Sequence, residues 1–197
     1  MNGYAILGWG SLIWDLSSLA PHVRGEWAMG AGPTLAMEFT RISPKRKGAL
    51  VVCLDPVHGA GCVTNAIAST RGDIGAAITD LARRERAPEP RIGAVCLDSG
   101  QASGTIPEVV EGVRRWCLAE GWAGAVWTGL ASNFEDHLGE AFSVPRAICY
   151  LQTLTGDSLD EAVRYIESAP AATDTPLRRA LANDDWWCAE ARRLGLR

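Results

Sequence analysis

The sequence predicts an α+β fold, because its predicted strands lie in the first two-thirds of the chain and its predicted helices dominate the last third. The chain has 197 residues, of which 47% are hydrophobic and 21% are charged. These proportions are typical of soluble globular proteins and exclude intrinsic disorder. We predict a single domain over residues 1–197, with a helical C-terminal extension over about residues 132–197 that packs on the sheet.

Short apolar or alternating runs predict the strands. Residues 34–40 alternate, which places Met37 and Phe39 on one face and Glu38 and Thr40 on the other. The predicted strands cover residues 4–7, 34–40, 50–54, 62–68, 92–97 and 125–130.

Apolar spacing and capping residues predict the helices. Residues 72–86 have apolar positions at helical spacing, and Pro88 ends the helix. Pro107 suits the first turn of a second helix, and Ser143 can cap a third. The predicted helices cover residues 72–86, 107–120, about 145–155, a helix capped by Asp157 or Ser158, and a last pair within 176–194.

The charge balance and the N-terminus exclude several classes of partner. The chain has 19 Lys and Arg against 23 Asp and Glu, a net charge of −4. Nucleic acids and anionic membranes both require a basic footprint, so we expect neither as a partner. No apolar run approaches the roughly 18 to 20 residues that span a bilayer. The first residues lack the basic region of a signal peptide, and we therefore expect a cytoplasmic protein.

Cysteines and histidines form no metal-binding pattern. The six cysteines include no C-x-x-C pair, and the three histidines are isolated from one another. We therefore expect free, mostly buried thiols and no metal site. A hydrolase that uses Cys62 with His58 is a weaker hypothesis, because the sequence shows no third group to orient the histidine.

Glu85 is the most informative single residue. It lies eleven positions after Ile74, which at about 100° per residue brings it within roughly 20° of that residue on the helical wheel. The carboxylate is thus predicted on the buried stripe of its helix, where burial disfavours the charged form and suits a general acid or base. Alternatively, Glu85 pairs with Arg83, Arg84 or Arg86, or lies at a frayed helix end.

A glycine-flanked loop follows the first predicted strand. Gly8 and Gly10 enclose Trp9, and glycine lets backbone N–H groups approach a carboxylate or a phosphate. The loop matches neither the dinucleotide fingerprint nor the P-loop, and Ser11 lacks the surroundings of a nucleophile elbow. Arg41, just past the end of the predicted strand 34–40, can hold an acidic ligand or be solvated.

The loop and several later segments resemble the gamma-glutamylcyclotransferases of the ChaC-like branch. The signature of that family, Gly-Tyr-Gly-Ser-Leu-Ile-Trp, is similar to residues 8–14. Further family features occur in the same order between residues 4 and 87. They are Arg41-Ile42-Ser43, Arg46-Lys47-Gly48, Leu54-Asp55, Gly61-Cys62-Val63 and Arg84-Glu85. Two departures are Trp9 in place of the usual tyrosine and Arg86-Ala87-Pro88 after the glutamate.

The resemblance implies a mixed, barrel-like sheet with surrounding helices and a defined activity. The family converts a gamma-glutamyl peptide or amine into pyroglutamate and releases the amine or amino acid, with no metal or organic cofactor. Glu85 corresponds to the catalytic acid/base glutamate of the family. The expected substrate-binding residues are Gly8, Trp9, Gly10, Ser11, Leu12 and Arg41. The alternative is a protein that binds a small metabolite on the same fold without catalysis.

Overall fold

The computed structural model describes residues 2–197, and of Asn2 it describes the backbone alone. Its α+β class confirms the prediction, with nine strands and seven α-helices along these residues. The strands are β1 Asn2–Gly8, β2 Val23–Ala28, β3 Thr34–Ser43, β4 Ala49–Leu54, β5 Ala60–Val63, β6 Asn65–Ser69, β7 Ile92–Cys96, β8 Ala102–Ser103 and β9 Trp122–Thr128. The α-helices are α1 Ile74–Glu85, α2 Pro107–Glu120, α3 Phe134–Leu138, α4 Val144–Thr153, α5 Gly156–Ser168, α6 Pro176–Ala182 and α7 Asp185–Arg193. Short 3-10 helices cover Ser11–Ile13, Ser17–His22, Pro44–Arg46 and Glu89–Arg91.

The chain folds into two compact units, and each unit is built from two separate segments. The first unit comprises the segment that ends at Leu35 together with Val63–Leu130. The second comprises Ala36–Cys62 and Ala131–Arg197, so it contains all five helices from α3 to α7. That the whole chain behaves as a single domain stays a prediction.

The first unit is a mixed six-stranded sheet with two long helices. Its strand order is β2-β6-β1-β9-β7-β8. Strand β1 pairs antiparallel with β6 and parallel with β9, which makes the sheet mixed. Helix α1 packs on β9, β7 and β1. Ile6, Leu81 and Val126 have no exposed surface and form the centre of this core.

Three strands of the first unit differ from the prediction, and one of them is β8, which has only two residues, both exposed, and so shows no strand pattern. The predicted strand 62–68 is interrupted at Thr64, whose N–H and hydroxyl both donate to the carbonyl of Pro33, the hydroxyl at 2.8 Å. These bonds divide the run into β5 and β6, which belong to different sheets. Strand β2 escaped prediction because it lies at the edge of the sheet and is mostly exposed, so its sequence carries no apolar alternation.

The second unit combines a three-stranded sheet, of order β4-β3-β5, with the five C-terminal helices. Helix α5 packs on β4 and also contacts α4 and α7. The ring of Phe39 on β3 meets the ring of Tyr165 on α5 edge to face, with centroids 6.4 Å apart. Helices of the C-terminal region therefore cover the three-stranded sheet of their own unit.

Strand β3 buries both of its faces, which its alternating sequence did not predict. The register between β3 and β4 shifts between Glu38 and Arg41, and both Glu38 and Thr40 are fully buried. The Glu38 carboxylate accepts hydrogen bonds from the N–H groups of Phe39, at 2.8 Å, and Leu177, at 2.9 Å. Burial nevertheless raises the pKa of this carboxyl group.

The predicted helices agree with the structure except at the start of α5, and the five-residue helix α3 escaped prediction because it is too short to show apolar helical spacing. Asp73 caps α1, and Ser143 caps α4, by accepting backbone N–H bonds. Helix α5 begins at Gly156 with Thr155 at its N-cap, so the prediction that Asp157 or Ser158 caps it is wrong. Within residues 2–197, none of the helices combines the length and apolarity that crossing a bilayer requires.

Candidate functional site

The loop that directly follows β1 contains the 3-10 helix Ser11–Ile13. The N–H of Ile13 donates to the carbonyl of Gly10, and the N–H of Asp15 donates to the carbonyl of Ser11, both at 2.9 Å. The side chain of Leu12 is 5% exposed and lies in the core of the first unit. Trp9 is equally buried. The loop therefore offers a ligand backbone groups and the half-buried Ser11 hydroxyl, whereas the Leu12 side chain serves the core.

Gly8 is required by close packing at the end of β1. A Cβ atom at this position would lie 2.6 Å from Cη2 of Trp27 and 3.1 Å from Cδ1 of Ile13. The Gly8 carbonyl accepts a 3.0 Å bond from Nδ2 of buried Asn65, whose Oδ1 accepts the N–H of Gly30. The absence of a side chain at Gly8 therefore lets the indole ring of Trp27 pack against the backbone where the loop begins.

Replacing Gly8 with alanine should lower the free energy of unfolding by about 1–3 kcal/mol, the usual cost of overpacking. Gly3→Ala is the matched control, because Gly3 lies on the same strand with no atom within 4 Å of its Cβ position. Denaturant unfolding of both variants measures the difference. Equal stability of the two variants would contradict the packing role of Gly8.

Helix α1 ends at Glu85 because the next residue reverses the chain. Arg86 adopts a left-handed conformation with φ of 52°, and its N–H donates to the carbonyls of Ala82 and Arg83. The Glu85 side chain is 14% exposed, and its Oε1 accepts a 2.7 Å bond from Nη1 of Arg84. Of the three arginines that the sequence offered as partners, the structure pairs Glu85 with Arg84.

Arg84 connects the helix end to the loop. Its side chain is 1% exposed, and its guanidinium donates to the backbone carbonyl of Asp15 through Nε and Nη2. Nη2 also lies 3.4 Å from the Ser11 hydroxyl oxygen. The structure therefore brings Ser11 and Glu85 to one guanidinium. The burial of Arg84 could have been predicted from helical spacing, because Arg84 lies seven residues after buried Ala77, within roughly 20° on the helical wheel.

The charge of Arg84 is balanced locally. A guanidinium removed from water is stable only when charges and hydrogen bonds compensate it. The Glu85 carboxylate supplies the nearer charge, and Oδ2 of Asp15 lies 4.0 Å from Nη2. Loop, helix end and ion pair therefore form one polar cluster within the first unit, which we call the Ser11–Arg84–Glu85 cluster.

Arg41 belongs to the second unit. It lies within β3, paired with Val51, so the prediction that it follows a strand end is wrong: the strand continues to Ser43. Its Nη1 donates to the carbonyl of Ala131 at 2.8 Å. This bond uses the guanidinium to hold the segment that precedes α3.

The sequence shows no third group that would orient His58 beside Cys62, but the structure does. Asp55 does orient the histidine, because its Oδ2 lies 3.1 Å from Nδ1 of His58. Burial opposes ionisation of Asp55, but hydrogen bonds from the His58 backbone and side chain lower its pKa overall. Cys62 is buried, and burial raises the pKa of its thiol, which disfavours the nucleophilic thiolate. The thiol is thus poorly suited to catalysis.

Among the residues that the structure describes, no three His, Cys, Asp or Glu side chains are grouped to hold a metal ion. Comparisons of the chain with protein-family models, with curated proteins and with solved structures find no match.

Proposed function

We propose that this protein is a gamma-glutamylcyclotransferase-like enzyme that cyclises the gamma-glutamyl group of a small peptide or amine to pyroglutamate. The observation that carries the proposal is the Ser11–Arg84–Glu85 cluster, in which a helix-end carboxylate and a loop hydroxyl share one buried guanidinium. Glu85 and Ser11 occupy the positions that the sequence resemblance assigns to acid/base catalysis and to substrate binding, respectively. The proposal includes the mixed, barrel-like sheet of that family.

The reaction requires one group that exchanges protons with both nitrogens of the substrate. The α-amine attacks the γ-carbonyl carbon, the new C–N bond closes the lactam ring, and the C–N bond to the departing amine breaks. At neutral pH the α-amine is protonated, so a base must first remove a proton. The departing nitrogen must then receive one. In this scheme Glu85 accepts one proton from the α-ammonium group and delivers it to the departing nitrogen. It then takes the second proton from the ring nitrogen and passes it to the released amine.

The remaining groups of the loop bind and orient the substrate. Holding the gamma-glutamyl chain in a coiled conformation brings the amine to the carbonyl and removes much of the entropic cost of ring closure. Backbone N–H groups are suited to stabilise the negative charge that develops on the carbonyl oxygen, and the Ser11 hydroxyl is a contact for the bound substrate. No step in this scheme requires a group from outside the chain and the substrate.

A binding protein without catalysis is the second candidate, and the Arg84–Glu85 ion pair is the observation that favours it. A carboxylate that is bonded to a guanidinium at 2.7 Å can serve structure alone. Both candidates bind a small gamma-glutamyl or acidic metabolite, and they differ in whether a product forms.

The deciding experiment incubates the protein with glutathione, gamma-glutamyl dipeptides and gamma-glutamyl amines, and measures pyroglutamate. The matched control is an α-glutamyl dipeptide, whose γ-carboxylate carries no departing amine. We expect pyroglutamate from at least one gamma-glutamyl compound and none from the control. Binding without product would favour the second candidate.

Replacing Ser11 with alanine should weaken substrate binding and leave residual turnover. A neutral hydrogen bond contributes about 0.5–1.5 kcal/mol, so KM should rise roughly two- to tenfold. Ser18→Ala is the control, because Ser18 is an exposed serine of the same segment. Steady-state kinetics on the best compound of the panel test this expectation. A trapped covalent intermediate on Ser11 would show instead that the serine is a nucleophile.

A further inference from the structure

The Arg84 side chain is enclosed, so it influences a ligand only through its neighbours. With 1% of its side chain exposed, its donors are directed at the Asp15 carbonyl, the Ser11 hydroxyl and the Glu85 carboxylate. These partners lie on two different elements, the loop after β1 and the end of α1. One rigid planar group therefore sets the position of both.

The chemistry of arginine also sets the direction of these hydrogen bonds. A guanidinium has five N–H donors and no acceptor, so the Ser11 oxygen must accept from Arg84. The hydroxyl hydrogen of Ser11 is then available to an acceptor on a ligand. The carboxylate of Glu85 can only accept while it is ionised, and its two oxygens offer more lone pairs than Arg84 uses.

We infer that Arg84 is a positioning residue that holds Ser11 as a hydrogen-bond donor and Glu85 as a proton acceptor, an inference that rests on the proposed function. The arrangement suits a ligand that presents a carbonyl or carboxylate oxygen beside an ammonium group. The oxygen receives the Ser11 hydroxyl hydrogen, and the ammonium group transfers its proton to Glu85. Arg84 keeps the distance between these two contacts constant during the reaction.

The substitution Arg84→Lys distinguishes the effect of side-chain geometry from the effect of positive charge. Arg84→Lys keeps the positive charge but replaces a planar fork with a single ammonium, which cannot serve all three partners in their present directions. A displacement of about 1 Å at a reacting group can cost a hundredfold in rate. We therefore expect kcat on the best gamma-glutamyl compound to fall by about a hundredfold, while KM rises by no more than the roughly two- to tenfold expected for Ser11→Ala.

Two further measurements distinguish positioning from a merely structural role. Arg83→Lys is the matched control, because Arg83 is an exposed arginine on the same helical turn, and its kcat should remain that of the wild type. Arg84→Ala should regain part of its kcat when guanidinium chloride is added at millimolar concentration, whereas sodium chloride should have no effect. Circular dichroism must show that the variants are folded.

If the Arg84 variants do not fold, side-chain NMR of the wild-type protein replaces them. The Nε–H signal of Arg84, assigned through its backbone amide, should shift on addition of pyroglutamate more than that of Arg83. An unchanged Arg84 signal in the presence of bound pyroglutamate would overturn the inference.

The outcomes also separate this inference from the proposed function. Wild-type protein that forms no pyroglutamate would overturn both. An active wild type, an inactive Glu85→Gln variant and a fully active Arg84→Lys variant would overturn the positioning role alone. A large loss of kcat in Arg84→Lys, with rescue of Arg84→Ala by guanidinium, would support it.

Discussion

Replacing Glu85 with glutamine is expected to lower kcat at least about a hundredfold, because general acid/base catalysis contributes about 10² to 10⁴ in rate. Glutamine has nearly the same size, and its amide oxygen can still accept the bond from Nη1 of Arg84. It cannot exchange a proton near neutral pH. The variant should therefore bind the gamma-glutamyl compound and form little pyroglutamate.

The control for this variant is Glu120→Gln. Glu120 is also the last residue of an α-helix, but it is exposed. Pyroglutamate formation and calorimetric binding, measured on all three proteins, separate catalysis from binding. Loss of the ion pair should lower the stability of Glu85→Gln by about 1–3 kcal/mol, so thermal unfolding must accompany the kinetics. A Glu85→Gln enzyme with nearly wild-type kcat would rule out the mechanism.

Removing residues 131–197 should abolish cooperative folding of the remaining strands of the second unit. A fragment that ends at residue 130 keeps β3, β4 and β5 but loses every helix that packs on them in that unit. Phe39 loses the ring of Tyr165, and the buried Glu38 carboxylate loses the N–H of Leu177. Each exposed core side chain costs about 1.5–3 kcal/mol, against a total stability of about 5–15 kcal/mol.

The fragment should therefore bind a hydrophobic dye and aggregate, and the backbone amides of its residues 36–62 should exchange with solvent without protection. The full-length chain, under the same conditions, is the comparison and should unfold in a single transition. A fragment of residues 1–130 that was released by limited proteolysis and unfolded cooperatively would contradict the prediction of a single domain.

The regular elements could be predicted because their own side chains encode them. Short apolar runs predicted β1 and β4, and apolar spacing together with capping residues predicted most helices, since these signals are local. The division at Thr64 escaped prediction, because it depends on hydrogen bonds to the carbonyl of Pro33, thirty-one residues earlier in the chain. The burial of Glu38 also escaped prediction, because its hydrogen-bond partner Leu177 is distant in sequence.

The candidate site was also predicted only in part, because a local pattern indicates Glu85 but not the contacts between the helix end and the loop. The helical wheel predicts that Glu85 faces inward, and it places Arg84 near the same buried stripe. Charged side chains are seldom fully buried without partners, so the sequence indicates Arg84 only as a possible partner of Glu85. Its contacts with the loop depend on how α1 packs beside β1, which no local pattern reports.

The parallel pairing of β1 with β9 has a consequence during protein synthesis. Tyr4 pairs with Gly124, whereas on the other side of β1 Ala5 pairs with Ala68. Chains emerge from the ribosome N-terminus first, so β1 can form its antiparallel ladder long before its parallel partner exists. Until then, one edge of an apolar strand is unpaired and can recruit other strands. Nascent chains that stall before β9 should therefore need chaperone protection, and released chains should not.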